Sequence, residues 1–257
     1  MSITGIAYLA VYFAGLLIAL FGRPAFGLYI YFYAFYAYAP SKWWGQGIPE
    51  LRWSLIAAVV TLIAIFIHNW EKHDWLKRRD IKLLILLCLF VWIQYFWALN
   101  SGLHLEYSIL LSKFLLLTYI IQAIVKSTED LIKVVVVNLI GISYYGWVGL
   151  TQHGGGRFEN AGTPGMEDGN LLSLHMVPIL ITASYLLLVK NASKRFLLLP
   201  LILIALNGIF LTGSRGGIIS IIIAGFFALF YVPSSLKHSF RFYVFLALLA
   251  GGLLVGP

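Results

Sequence analysis

Charge and cysteine are both scarce in this chain. Only 11% of its 257 residues are charged, against roughly a quarter in soluble domains, too little polar surface to solvate a globule of this size. The single cysteine, Cys88, excludes an intramolecular disulfide framework. Alternating polar and apolar strand patterns are missing, which argues against a transmembrane barrel. The chain has no Walker loop, dinucleotide fingerprint, His-x-x-x-His or Cys-x-x-Cys, so no cofactor is expected and soluble-cofactor chemistry has no support. No signal peptide is evident, because the first apolar run lacks a basic start and a small-residue cleavage site.

What the chain has in abundance is apolar length. With 61% hydrophobic residues and runs of about 18 or more repeated along its length, it reads as an integral membrane protein. Satisfying the backbone in lipid then requires helices. The expected fold is an all-α, polytopic transmembrane bundle of about ten spans, forming a single domain. The expected spans are Ile3 to Phe21, Ala25 to Ala39, Leu51 to His68, Ile81 to Leu99, Tyr107 to Val125, Leu131 to Leu150, Asn170 to Val189, Phe196 to Leu211, Ile218 to Val232, and Phe242 to the end. Pro40 to Gly45, with two tryptophans, reads as an interfacial corner. The apolar stop at Leu253 to Pro257 reads as a fragment of a longer protein.

A net charge of +8 would suggest nucleic acid as a partner in a soluble protein. Here the basic residues lie between apolar runs, so they report orientation and nucleic acid is not expected. Arg23, Lys72, Lys77, Arg78, Arg79, Lys82, Lys126, Lys133, Lys190, Lys194, Arg195, Lys237 and Arg241 fall on one side of the alternating loops. That side is expected to be cytoplasmic, with the N-terminus outside. Lys42, Arg52, Lys113, Arg157 and Arg215 depart from the trend.

Arg157 and Arg215 stand among or beside glycines on the expected outer side. A guanidinium matches phosphate oxygens with two parallel donors, and glycine lets backbone N–H groups approach the same anion. Each arginine could equally snorkel to lipid headgroups, and Arg157 could pair with Glu159 or Glu167. Gly213-Ser214-Arg215-Gly216-Gly217 also has the small-residue spacing of close helix packing, which explains its glycines but not its arginine. Asn170 opens a span as either an N-cap or a ligand contact. His153 and His175 are acid–base candidates without an identifiable partner, and His175 near Pro178 reads mainly as satisfying a kinked backbone.

Two strings, Arg157-Phe-Glu-Asn with Asn170-Leu-Leu-Ser and Leu211-Thr-Gly-Ser214-Arg215-Gly-Gly, resemble the O-antigen ligase and polymerase superfamily over the sixth to ninth spans. The likeness is nearest to O-antigen ligases and protein O-glycosylation ligases. It implies transfer of a preassembled glycan from undecaprenyl diphosphate to a lipid or protein acceptor hydroxyl. It implies a multi-pass protein of the bacterial inner (cytoplasmic) membrane, with the site facing the periplasm and no metal or nucleotide involved. Arg157 and Arg215 would hold the diphosphate, with Asn170 and Ser214 beside it. A polymerase of the same superfamily, or an anion transporter, is the alternative. The family's proposed general base is a histidine in a periplasmic segment beyond this region, so the resemblance assigns no catalytic residue here.

Overall fold

In a computed structural model of the chain, the described residues are 1–69, 77–152, 156–159, 163, 166–188 and 195–231. Among them the only regular structure is helical. The helices are α1 (Ile3–Phe21), α2 (Ala25–Ala37), α3 (Trp53–Asn69), α4 (Arg79–Gln94), α5 (Ser101–Ile124), α6 (Thr128–Gln152), α7 (Gly169–Leu188), α8 (Leu199–Leu211) and α9 (Arg215–Tyr231). Short 3-10 turns at Ala39–Ser41 and Trp43–Gly45 follow α2, another at Tyr95–Trp97 extends α4, and one at Arg195–Leu198 leads into α8.

Five of these segments are long and apolar enough to cross a membrane: α1, α4 with its extension, α5, α6 and α7. That makes the chain a membrane protein. Helices α3, α8 and α9 are apolar but shorter. Each of the first nine expected spans coincides with a helix, while the tenth, from Phe242, lies outside the described residues, as does His153.

Of the boundaries that move, two do so because of a side-chain cap. Asn100, which falls between the expected fourth and fifth spans, caps α5 by accepting the Leu103 N–H at 3.0 Å, so the helix starts at Ser101 rather than Tyr107. Likewise α9 begins at Arg215 rather than Ile218, because Ser214 supplies the cap.

The chain divides into two compact units. One comprises Tyr8–Tyr31 and Leu51–Leu131. Within it the buried Tyr12 hydroxyl donates to the Trp53 carbonyl at 2.8 Å while the two rings meet edge to face. Helices α4 and α5 are joined by Trp92 Nε1 donating to Ser112 Oγ at 2.9 Å and by His104 Nε2 against the Val91 carbonyl at 2.7 Å. Polar side chains are the adhesive here, because lipid supplies no hydrophobic drive between helices.

The other unit comprises Met1–Ala7, Phe32–Glu50 and the described residues from Ile132 onward. Small residues set its spacing. A Cβ on Gly208 of α8 would lie 2.8 Å from the Gly146 Cα of α6, and one on Gly217 of α9 would lie 2.7 Å from the Ser173 Cβ of α7. Backbones therefore approach at two crossings where a larger side chain would hold them apart. The same unit holds a set of buried polar contacts. Tyr36 Oη donates to Asn138 Oδ1 at 2.8 Å and meets His175 Nε2 at 2.8 Å, and Tyr145 Oη donates to Thr163 Oγ1 at 2.7 Å.

Candidate anion-binding site

The α8–α9 turn follows from its sequence almost residue by residue. Gly213 takes a φ of +59°, the left-handed conformation that ends α8 and that glycine adopts without strain. Its N–H donates to the Phe210 carbonyl at 3.0 Å. Thr212 Oγ1 then accepts from the Ser214 N–H at 3.2 Å, and Ser214 Oγ accepts from the Gly217 N–H at 3.1 Å as the N-cap of α9. Gly217 makes the close crossing with Ser173. Arg215 and Gly216 are left over. Both are exposed, and among the described residues the Arg215 side chain has no hydrogen bond or ion pair. A helix start leaves its first N–H groups without intrahelical partners; the first intrahelical bond here runs from the Ile218 N–H to the Ser214 carbonyl, and among the described residues the N–H groups of Arg215 and Gly216 have no acceptor.

The α6–α7 loop is bound to this turn. The Phe158 N–H donates to the Leu211 carbonyl at 2.8 Å, and the Phe158 ring is buried. This carries Arg157 across the turn, where Nε donates to the Thr212 carbonyl at 2.7 Å. Gly169 is required there, since a Cβ on it would fall 2.9 Å from Arg157 Nε and 3.0 Å from the Thr212 carbonyl oxygen. Arg157 also faces two carboxylates, Glu159 Oε1 at 3.2 Å from Nε and Asp168 Oδ1 at 3.2 Å from Nη2. These side chains are between 40% and 46% exposed, so the pairs are solvent-screened and add little stability.

All four expected ligand residues therefore gather on one end of this unit. Arg157 touches the turn that presents Arg215, and Ser214 Oγ donates to Asn170 Oδ1 at 3.0 Å, linking the starts of α9 and α7. The two helices begin side by side, so their positive N-terminal ends add to the field of the guanidiniums. Three details differ from the sequence expectation. Asp168 rather than Asn170 caps α7, its Oδ1 accepting the Asn170 N–H at 3.0 Å, and Asn170 sits one position inside the helix. Arg157 pairs with Glu159, one of the two carboxylates expected, and also with Asp168, which was not. His175 has a partner, the Tyr36 hydroxyl. A hydroxyl carries one proton, so donating it to Asn138 leaves it to accept from His175 Nε2–H.

Asp168 is the residue that reading the sequence for function missed. Its signal was an Asp-Gly pair immediately before an apolar run, the pattern of a helix start. Phe158, the other omission, carries no local signal, because its role depends on a carbonyl from α8.

Other features of the chain have different chemistry. Lys42 lies over the Tyr144 ring at 5.6 Å, and burial lowers its pKa below the usual lysine value. A cavity of about 330 Å³ at the α4–α5 turn is lined by Trp97, Asn100, His104 and Tyr107 among others, with no lysine or arginine in its wall. Among the described residues no group of three or more His, Cys, Asp or Glu could hold a metal ion. No family model matches the chain, and neither a curated protein nor a solved structure matches it.

Proposed function

We propose that the chain is a membrane glycan ligase that moves a preassembled glycan from a lipid-linked diphosphate, undecaprenyl diphosphate in the family it resembles, to an acceptor hydroxyl of a lipid or protein. In this reading it crosses the bacterial inner membrane about ten times with its N-terminus outside, and the paired starts of α7 and α9 face the periplasm. The observation that carries the proposal is an exposed Arg215 at the open N-terminus of α9, beside an Arg157 that the structure holds across the same turn.

The chemistry such a pair supports is leaving-group stabilisation. As the acceptor oxygen bonds to the anomeric carbon, the bond from that carbon to the diphosphate oxygen breaks. The electron pair stays on the diphosphate, which gains one negative charge, and the acceptor proton is released. Arg157 and the open N–H groups of Arg215 and Gly216 are donors held in place before that charge develops, and the Arg215 guanidinium adds a donor that is ordered as the diphosphate binds. Ser214 and Asn170 join the two helix starts, and in this proposal they shape the site rather than carry its charge.

Replacing Arg215 by alanine tests the reading. Glycan transfer in reconstituted vesicles should fall by roughly a hundredfold or more, the scale of losing one donor to the developing charge, while membrane insertion is unchanged. Arg157→Ala should act in the same direction. Transfer that survives both changes sinks the ligase reading. The products separate neighbouring activities: a capped acceptor marks a ligase, a lengthened lipid-linked chain a polymerase, and glycan-independent anion uptake a transporter.

A further inference from the structure

We propose that Asp168 is an internal competitor for Arg157, an anion built into the site that limits how tightly a lipid diphosphate is held and lets the spent carrier leave. The proposal rests on the diphosphate reading above. Asp168 makes the contacts that an incoming phosphate oxygen would seek. Its Oδ1 accepts from Arg157 Nη2 at 3.2 Å and from the Asn170 backbone N–H at 3.0 Å, and its Oδ2 accepts from Asn170 Nδ2 at 3.3 Å. A guanidinium, a helix-start N–H and a side-chain amide form the kind of donor set that binds phosphate.

The charge balance shows why such a competitor is useful. Arg157 and Arg215 are formally offset by Glu159 and Asp168, and both carboxylates lie on Arg157. Transfer converts a diphosphate diester into a monoester that carries one more negative charge. A purely cationic pocket would therefore hold product more tightly than substrate, and turnover would stall on release. A carboxylate that returns to Arg157 when the diphosphate departs opposes that trap. Arg215 has no such counter-ion among the described residues, so it stays available for capture while Arg157 is exchanged between partners.

The test compares wild type with Asp168→Asn and Asp168→Ser. Both replacements keep a good N-cap for α7 and remove the charge. Titrating farnesyl diphosphate, a glycan-free lipid diphosphate, into the purified protein in micelles at low salt should show binding about 3- to 10-fold tighter in both variants. The gain should shrink as ionic strength rises, as expected for partly exposed charges. In an Arg157→Ala background, Asp168→Asn should produce no gain.

Binding by both uncharged variants that equals or falls below wild type, with unchanged thermal unfolding, overturns this role and leaves the diphosphate site standing. The same holds if the gain persists without Arg157. If neither wild type nor the variants bind farnesyl diphosphate, the site reading and this inference fall together. A merely structural Asp168 would give no tightening in either variant.

Discussion

Arg157 and Arg215 belong to adjoining loops of one unit, yet they are held in opposite ways. The Arg157 side chain is fixed at its far end, by the Thr212 carbonyl and by the carboxylates of Glu159 and Asp168. Arg215 is fixed only through its backbone, as the first residue of a capped helix, and among the described residues its guanidinium is unengaged. The position of Arg157 therefore depends on side-chain contacts, whereas that of Arg215 depends on the α8–α9 turn and on how α9 packs against α7. The paired arginine is preorganised but electrostatically occupied; the unpaired one is free but must be ordered by whatever it binds. A site using both combines low reorganisation with ready capture.

The contrast fails most visibly where both arginines depend on one contact. Gly217→Val would place a branched side chain against Ser173 at the α7–α9 crossing, where even a single Cβ would come within 2.7 Å. Overpacking of this kind costs about 1–3 kcal/mol, and separating the helix starts would also break the link from Ser214 to Asn170. Thermal unfolding in micelles should drop and binding of farnesyl diphosphate should be lost. Retention of both would mean that the crossing does not set the geometry of the pair.

Gly169→Ala sharpens the comparison because it addresses Arg157 alone. Its methyl would displace the guanidinium from the Thr212 carbonyl, removing a charge-assisted hydrogen bond worth about 1.5–3 kcal/mol. The start of α9 should stay intact, since Ser214 still caps it. Diphosphate affinity should fall about as far as in Arg157→Ala, with the residual binding still abolished by Arg215→Ala. If Gly169→Ala binds as wild type does, the fixed position of Arg157 contributes nothing.

How much of this was legible in the sequence follows from the range of each interaction. Helix placement was readable because apolar length is local, and the first nine expected spans each meet a helix. The glycine-bearing turn at Gly213 was also readable, since backbone conformation and capping act over a few residues. The convergence of the four ligand candidates was only suggested, because it depends on Phe158 reaching the Leu211 carbonyl, a contact across 53 positions that leaves no periodic trace. The Tyr36–Asn138–His175 network was invisible for the same reason. Its members stand on α2, α6 and α7, and single polar residues in separate apolar runs do not announce their partners. Asp168 was visible as a helix start, but its pairing with Arg157 required knowing where the loop folds back.

The smallest expected effect separates support from contact at the junction of the two loops. In Ser214→Ala the Gly217 N–H loses its acceptor and Asn170 Oδ1 loses a donor, whereas both arginines keep their charge. Loss of such a cap costs about 1 kcal/mol, so the unfolding temperature should fall modestly and Ser214→Asp should recover it by restoring the cap. Diphosphate affinity should change far less in Ser214→Ala than in Arg215→Ala, because the hydroxyl already donates to one group and accepts from another. Ser214→Asp should bind more weakly than Ser214→Ala despite its better cap, since it sets a negative charge beside Arg215. Should Ser214→Ala instead lose as much affinity as Arg215→Ala, Ser214 belongs among the groups that touch the ligand, and the division between a supporting turn and a charged contact has to be redrawn.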